Sequence, residues 1–342
     1  MEILTFTMQY PDFLFPGKTQ YSDDPQPKDL RITRVMNSVN PVSWVRTGRL
    51  IRRKKADLLV VKFWIPLMAP CLGTIARIAR KGGTKVVSVL DNVIPHEPHF
   101  WDKWFIRYFI GSVDRFVAMS DSVHADCEKF INRKHPQPIT LCPHPLYDNF
   151  GTPLPKDEAR KQLGLDKDAV CLLFFGFIRD YKGLDLLMKA YADPRFAGKK
   201  VQLVVAGEFY NNGAQYTELE QQLGLKGKID WHTNFIPDDK VRVYFSAADL
   251  IVQPYKTATQ SGVTQIAYHF CKPMLVTNVG GLAEIVPNGK VGYVTAVEPK
   301  AIADAILDFC ERGDAECFRT GIEEEKKKYA WSRMTEAIIS NS

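Results

Sequence analysis

Seven short runs of apolar or β-branched residues, at 56–63, 85–90, 116–119, 170–175, 201–206, 250–253 and 274–277, are each followed by a helical pattern. Strands that alternate with helices imply α/β architecture, with parallel sheets covered by helices on both faces. In such sheets ligands bind beyond the C-terminal strand ends, where the strand order reverses. The residues just after the runs are therefore where chemistry is read. They are Asp91-Asn92, Gly176, Gly207-Glu208 and Gly280-Gly281.

The length of 342 residues suggests two domains. The break falls at Pro143-His144-Pro145, where a strand-like run stops and a Pro-, Gly- and Asn-rich stretch begins. Charge divides at the same place. Residues 1–150 carry 21 Lys and Arg against 14 Asp and Glu, whereas residues 151–342 carry 24 against 25. The seven cysteines are scattered and never spaced C-x-x-C, which fits reduced thiols and not a disulfide framework or structural zinc. No apolar run approaches the roughly 18 residues of a spanning helix. The opening residues lack the pattern of a secretory leader. A cytoplasmic protein is the expectation.

The most informative stretch is Phe174-Phe175-Gly176-Phe177-Ile178-Arg179-Asp180-Tyr181-Lys182-Gly183-Leu184-Asp185. A strand ends at Gly, and Arg179 and Lys182 stand just ahead of a helix. Gly permits close backbone approach, and a helix N-terminus presents free N–H groups to an anion. Arg offers a planar fork to phosphate oxygens, and Lys a point charge. The same pattern also describes a solvated loop with two surface cations.

These residues resemble the donor-domain opening of the GT-B glycosyltransferases, retaining family 4 type (glycosyl transferases group 1). The resemblance continues in order through Val204-Val205-Ala206-Gly207-Glu208, Ala247-Ala248-Asp249-Leu250-Ile251-Val252-Gln253-Pro254, and Lys272-Pro273-Met274-Leu275-Val276-Thr277-Asn278-Val279-Gly280-Gly281-Leu282-Ala283-Glu284-Ile285-Val286. Upstream, Val113-Asp114-Arg115-Phe116-Val117-Ala118-Met119-Ser120-Asp121-Ser122 is similar to the segment that closes the acceptor domain. The match covers residues 56–335.

The resemblance implies two Rossmann-like domains facing a cleft. An acceptor-side domain would span 1–145 and a nucleotide-sugar donor domain 146–328, with a helix over 329–342 packing back on the first. The implied reaction is transfer of a hexosyl group from a nucleotide-diphosphate sugar, with retention, metal-independent and without a cofactor. The acceptor would be lipid-linked or a polysaccharide, in cell-surface glycan synthesis.

Arg179 and Lys182 would stabilise the departing diphosphate. Gly176, Gly207, Glu208, Gly280, Gly281 and Glu284 would line the donor site, with Glu284 touching a sugar or ribose hydroxyl. In the acceptor domain, His96 would hydrogen-bond the transferred sugar and Asp91 would orient the acceptor hydroxyl. His144 reads as structural. Asp166-Lys167-Asp168 falls in a turn and is not read as a metal site.

Two departures stand out. The family carries a pair of glutamates ahead of Lys272-Pro273; counting back, those places hold Ala258 and Ile266. A polar stretch containing Gln260, Ser261, Gly262, Val263 and Gln265 stands there instead. Its N–H groups and hydroxyls are expected to hold the diphosphate, and Gln265 the ribose. The family also opens with a strand and a Gly-rich loop. This chain opens Glu2-Ile3-Leu4-Thr5-Phe6, which reads as a later strand of the first sheet, leaving that domain one βα unit short. A weak or inactive GT-B binding subunit, a nucleotide-sugar epimerase or a phosphorylase therefore remain alternatives.

The basic excess lies in Arg46, Arg49, Arg52, Arg53, Lys54 and Lys55, in Arg77, Arg80 and Lys81, and in the aromatic segment Trp101-Asp102-Lys103-Trp104-Phe105-Ile106-Arg107-Tyr108. Basic surface with Trp favours an anionic membrane surface on the inner face. Cations at helix C-termini also complement the dipole. No nucleic-acid motif accompanies the charge.

Overall fold

A computed structural model describes residues 1–11, 29–95, 99–210, 213–258, 261–312 and 315–340. The chain divides into two compact units. One comprises 1–143 with 334–342, and the other 144–333.

The first unit runs β1 (Glu2–Met8), β2 (Arg31–Asn37), α1 (Pro41–Lys54), β3 (Leu58–Phe63), α2 (Ala69–Arg80), β4 (Lys85–Leu90), α3 (Asp102–Ile110), β5 (Arg115–Ala118), α4 (Asp121–Glu128) and β6 (Ile139–Leu141). Strands β3-β4-β5-β6 form a parallel sheet in that order. β1 corrects the sequence reading. It is a strand, but among the described residues it pairs only with β2, in a separate parallel ladder broken by register shifts at Phe6. Its Leu4 and Phe6 reach the common apolar core through side chains and not through backbone bonds to the four-stranded sheet.

Local chemistry accounts for α1. Asn40 accepts from the Val42 N–H at 3.0 Å, Pro41 opens the first turn, and Arg52, Arg53 and Lys54 complement the dipole at the far end.

The second unit runs α5 (Lys156–Leu163), β7 (Val170–Phe175), α6 (Leu184–Tyr191), β8 (Val201–Ala206), α7 (Ala214–Gln222), β9 (Ile229–His232), α8 (Asp238–Ala247), β10 (Leu250–Gln253), α9 (Gly262–His269), β11 (Met274–Thr277), α10 (Leu282–Ile285), β12 (Gly292–Thr295), α11 (Pro299–Arg312) and α12 (Arg319–Lys326). Its sheet is parallel, in the order β12-β11-β10-β7-β8-β9. The order reverses between β7 and β10, so the switch point lies at the C-terminal ends of those two strands. The central strands are buried on both faces, which is why they read as continuous apolar runs. The last helix, α13 (Trp331–Ile339), carries Met334, Ala337 and Ile338 onto Val87, Val117, Met119 and Cys142 of the first unit's sheet. The Arg115 guanidinium donates to the Ile338 and Ser340 carbonyls there.

An ion pair is built under the second sheet. Arg160 is 1% exposed and Asp249 lies beside it, with Nη2 and Oδ2 2.5 Å apart. Arg160 also donates to the carbonyls of Ala247, Asp166 and Lys167, and Asp249 accepts from the Cys171 N–H and from Lys156. Asp249, part of the family resemblance, thus ties the start of β10 to α5 and β7. The Asp166 carboxylate accepts from the Asp168 N–H within its own turn.

Candidate diphosphate site at the switch point

Two loops meet where the strand order reverses. The first follows β7. Gly176 holds φ +92, and a Cβ there would lie 3.1 Å from the Lys182 Nζ and 3.9 Å from a Val263 methyl. Gly207, at the end of β8 with φ +139, would put a Cβ 2.4 Å from the Gly176 carbonyl oxygen. Only glycine lets these two strand ends approach so closely. Backbone bonds from Ile178 N–H to the Glu208 carbonyl and from Tyr210 N–H to the Ile178 carbonyl then lock the loops after β7 and β8 together.

The second loop follows β10. Gly183 (φ +67) packs so tightly that a Cβ would fall 2.0 Å from the Pro254 carbonyl oxygen, and the Lys256 N–H donates to the Tyr181 carbonyl at 2.7 Å. Gly183→Ala is expected to cost about 1–3 kcal/mol of stability, because both the backbone angle and the contact must give. A denaturant titration that leaves the midpoint unchanged would contradict this packing.

The electrostatics follow from who pairs with whom. Lys256 bridges the carboxylates of Asp180 and Asp185, each at 3.0 Å. Lys189 lies 3.6 Å from the second Asp185 oxygen, so two lysines offset the loop's two acids. The Arg179 guanidinium carbon lies over the Tyr210 ring, 3.8 Å from its centroid. Lys182 sits 5.7 Å from the Tyr255 centroid and has no carboxylate within ion-pair distance among the described residues. Burial first, and then the like charge of Arg179, holds the Lys182 ammonium down at about 8.

Helix α9 begins at the same place. The Ser261 hydroxyl oxygen accepts from the Val263 N–H at 3.2 Å and donates to the Gln253 Oε1 at 2.6 Å, with the Tyr255 hydroxyl 3.3 Å away. Gly262 lies under Tyr147, where a Cβ would meet the ring at 3.0 Å. The arrangement is two cations without carboxylate partners among the described residues, beside a capped helix N-terminus, which is chemistry suited to an anion with several oxygens.

The family model for glycosyl transferases group 1 matches residues 155–328. The chain belongs to this family. It is 28% identical over 202 residues to a lipopolysaccharide 1,2-N-acetylglucosaminetransferase of Salmonella typhimurium, covering 53% of this chain and 50% of that protein. It is 30% identical over 244 residues to a D-inositol 3-phosphate glycosyltransferase of Catenulispora acidiphila, covering 68% and 57%. The chain thus spans about half the length of the curated relatives it matches. A glycosyltransferase structure from Rickettsia africae superposes with TM-score 0.68 at 16% identity, covering 92% of this chain and 86% of that one. The Anabaena HepE protein, solved in complex with UDP, gives TM-score 0.68 at 16% identity over 90% and 84%. The shared fold is the GT-B type.

For this member of glycosyl transferases group 1, the structure gathers Gly176, Arg179, Lys182, Gly207, Glu208, Ser261, Gly262 and Val263 around the ends of β7, β8 and β10. Gly280, Gly281 and the exposed Glu284 lie at the end of β11, one strand further out. Gln265 is 3% exposed within α9, and its Oε1 is sealed from solvent with no hydrogen-bond partner among the described residues. Asp91 follows β4 in the other unit and pairs with Lys62 at 3.0 Å. His96 and Gln260 lie outside the described residues.

Where the family pattern expects glutamates, Ile266 is buried in the core and Ala258 packs against it. Sequence reasoning missed Tyr210, Tyr255, Lys256 and Gln253. The Tyr255-Lys256 pair directly after Pro254 was the available signal for two of them.

Proposed function

We propose that this chain is the donor-binding and catalytic body of a glycosyltransferase that moves a hexosyl group from a nucleotide-diphosphate sugar, with retention and without a metal ion. The observation that carries the reading is the pair of cations, Arg179 and Lys182, with no carboxylate at ion-pair distance among the described residues and set beside the start of α9 at the switch point. In the reaction the bond from the anomeric carbon to the diphosphate oxygen breaks. The acceptor oxygen bonds the same face of that carbon, and its proton passes to the departing diphosphate oxygen. Arg179, Lys182 and the N–H groups opening α9 stabilise the charge that develops on that oxygen. A lipid-linked or polysaccharide acceptor is supported by the name of the Salmonella relative. A cytoplasmic, membrane-peripheral placement accompanies that acceptor. No helix among the described residues is long and apolar enough to cross a membrane.

The test is a screen of nucleotide sugars with lipid-linked acceptors, with the anomeric configuration of the product read by NMR. Retained configuration, in chelator as in buffer, is the expected result. Inverted product contradicts the mechanism. A different outcome, neither transfer nor donor hydrolysis despite nucleotide binding, would favour a non-catalytic subunit. Ala258 and Ile266, standing where the family pattern carries glutamates, are the residues that motivate this second reading.

The titration of Lys182 gives a signed prediction. The ammonium form holds the anion, and its value in the free protein is about 8, below the ordinary 10.5. The Lys182 contribution to nucleoside-diphosphate affinity is therefore constant below about pH 7 and falls by up to about tenfold per pH unit above the midpoint, read as the difference between wild type and Lys182→Arg. Lys182→Arg keeps its charge throughout and should flatten that fall in calorimetry across the range.

A further inference from the structure

Helix α3 in the first unit has two unlike faces. Ile106, Phe109 and Ile110 are buried, with Phe109 stacked on Phe63 at 4.2 Å. Exposed aromatic rings stand on the helix and on the two residues before it: Phe100 (81% exposed), Trp101 (38%), Trp104 (67%) and Tyr108 (38%). Steps of three and four residues place Trp101, Trp104 and Tyr108 in one row. The rings are held in position. His99 stacks on Trp101 at 4.9 Å and Phe100 meets it edge-on at 4.6 Å. The Tyr108 hydroxyl lies 2.8 Å from the Thr74 hydroxyl, and the Arg77 guanidinium covers its ring at 3.9 Å. Gly73 on α2 leaves the space, since a Cβ there would meet Tyr108 at 2.9 Å.

Among the described residues of this segment, the exposed charges have one sign. Lys103 and Arg107 are exposed, with no carboxylate at ion-pair distance among the described residues. The nearest acid in the helix, Asp102, is buried and accepts from the His99 N–H at 2.7 Å. A contiguous exposed aromatic surface marks an interaction site. A glycan platform would pair its rings with acceptor groups, carboxylates or amides, for sugar hydroxyls; here the flanking side chains are cations. A second copy of the chain would bring the Lys103 and Arg107 of each protomer together. Apolar rings ringed by cations complement an anionic lipid surface.

We propose that the outer face of α3 seats this protein on an anionic bilayer. Phe100 and Trp104 enter the boundary between headgroups and acyl chains, Trp101 and Tyr108 lie at headgroup level, and Lys103 and Arg107 meet lipid phosphates. The proposal rests on the membrane-peripheral placement given above and names the surface that carries it; that surface lies in the other unit from the diphosphate site, so failure of vesicle binding and failure of nucleotide binding are distinguishable.

The test is co-sedimentation of the full chain with phosphatidylcholine vesicles containing about 30% phosphatidylglycerol, at about 0.05 M salt. The wild type should bind, with a blue shift of tryptophan emission. The Phe100→Ser/Trp104→Ser variant should lose at least about tenfold in apparent affinity. Its circular dichroism melt, and its affinity for UDP without vesicles, should not change. Lys103→Glu/Arg107→Glu should also weaken binding and remove its salt sensitivity.

Equal binding to neutral and anionic vesicles would overturn the proposal, as would no vesicle binding at all. So would wild-type binding by the serine variant, a dimer that this variant dissociates, or retention of the patch on soluble polysaccharide in place of lipid. Loss of UDP binding in the wild type would count against the donor site and leave this proposal standing.

Discussion

Asp249→Ala is expected to destabilise the protein by about 3–5 kcal/mol, the cost of leaving a buried charge without its partner. Arg160 would remain almost wholly buried, keeping its bonds to the carbonyls of Ala247, Asp166 and Lys167 but losing the carboxylate. The Cys171 N–H at the start of β7 would lose its acceptor as well. The effect should be read as a lowered denaturant midpoint. Lys156→Ala removes only the half-exposed member of the cluster and should cost no more than about 1 kcal/mol. Equal losses in the two variants would show that burial of Arg160 is not the origin of the effect.

Lys182→Ala is expected to cut nucleoside-diphosphate affinity at least about tenfold, since a charge-assisted bond contributes about 1.5–3 kcal/mol. Turnover should fall further, by about a hundredfold or more, if the ammonium meets charge that grows in the transition state. Stability should move the other way. Burial and Arg179 both disfavour the Lys182 ammonium, so the folded protein carries it at a cost below about pH 8 that alanine removes. A variant that binds poorly yet melts no lower than the wild type separates a ligand role from a structural one. A variant that melts lower and binds normally reverses the assignment.

How much of this was legible beforehand depends on distance along the chain. Gly176 and Gly207 were readable because each ends an apolar strand. The structure adds the reason: a Cβ on Gly207 would lie 2.4 Å from the Gly176 carbonyl oxygen, and one on Gly176 would lie 3.1 Å from the Lys182 Nζ. Arg179 and Lys182 were readable from their place ahead of α6. Their freedom from carboxylates was not, because it depends on Lys256 reaching back to Asp180 and Asp185 from beyond β10. The Tyr210 ring under Arg179 and the Tyr255 ring near Lys182 likewise arrive through the sheet order. Strands β9 and β12 escaped notice because four residues with a charge or a leading glycine make no clear run. The separate pairing of β1 with β2 was hidden for another reason. Alternation along a strand shows which side is apolar, not which neighbour it bonds.

Calorimetry of the wild type and Lys182→Ala with UDP, GDP and ADP, and with the matching monophosphates, tests the central claim most directly. The account predicts that at least one diphosphate binds the wild type more tightly than its monophosphate, and that Lys182→Ala loses that preference while melting no lower than the wild type. Absence of diphosphate binding by the wild type, or an unchanged preference in Lys182→Ala, would contradict the placement of the diphosphate between β7 and α9.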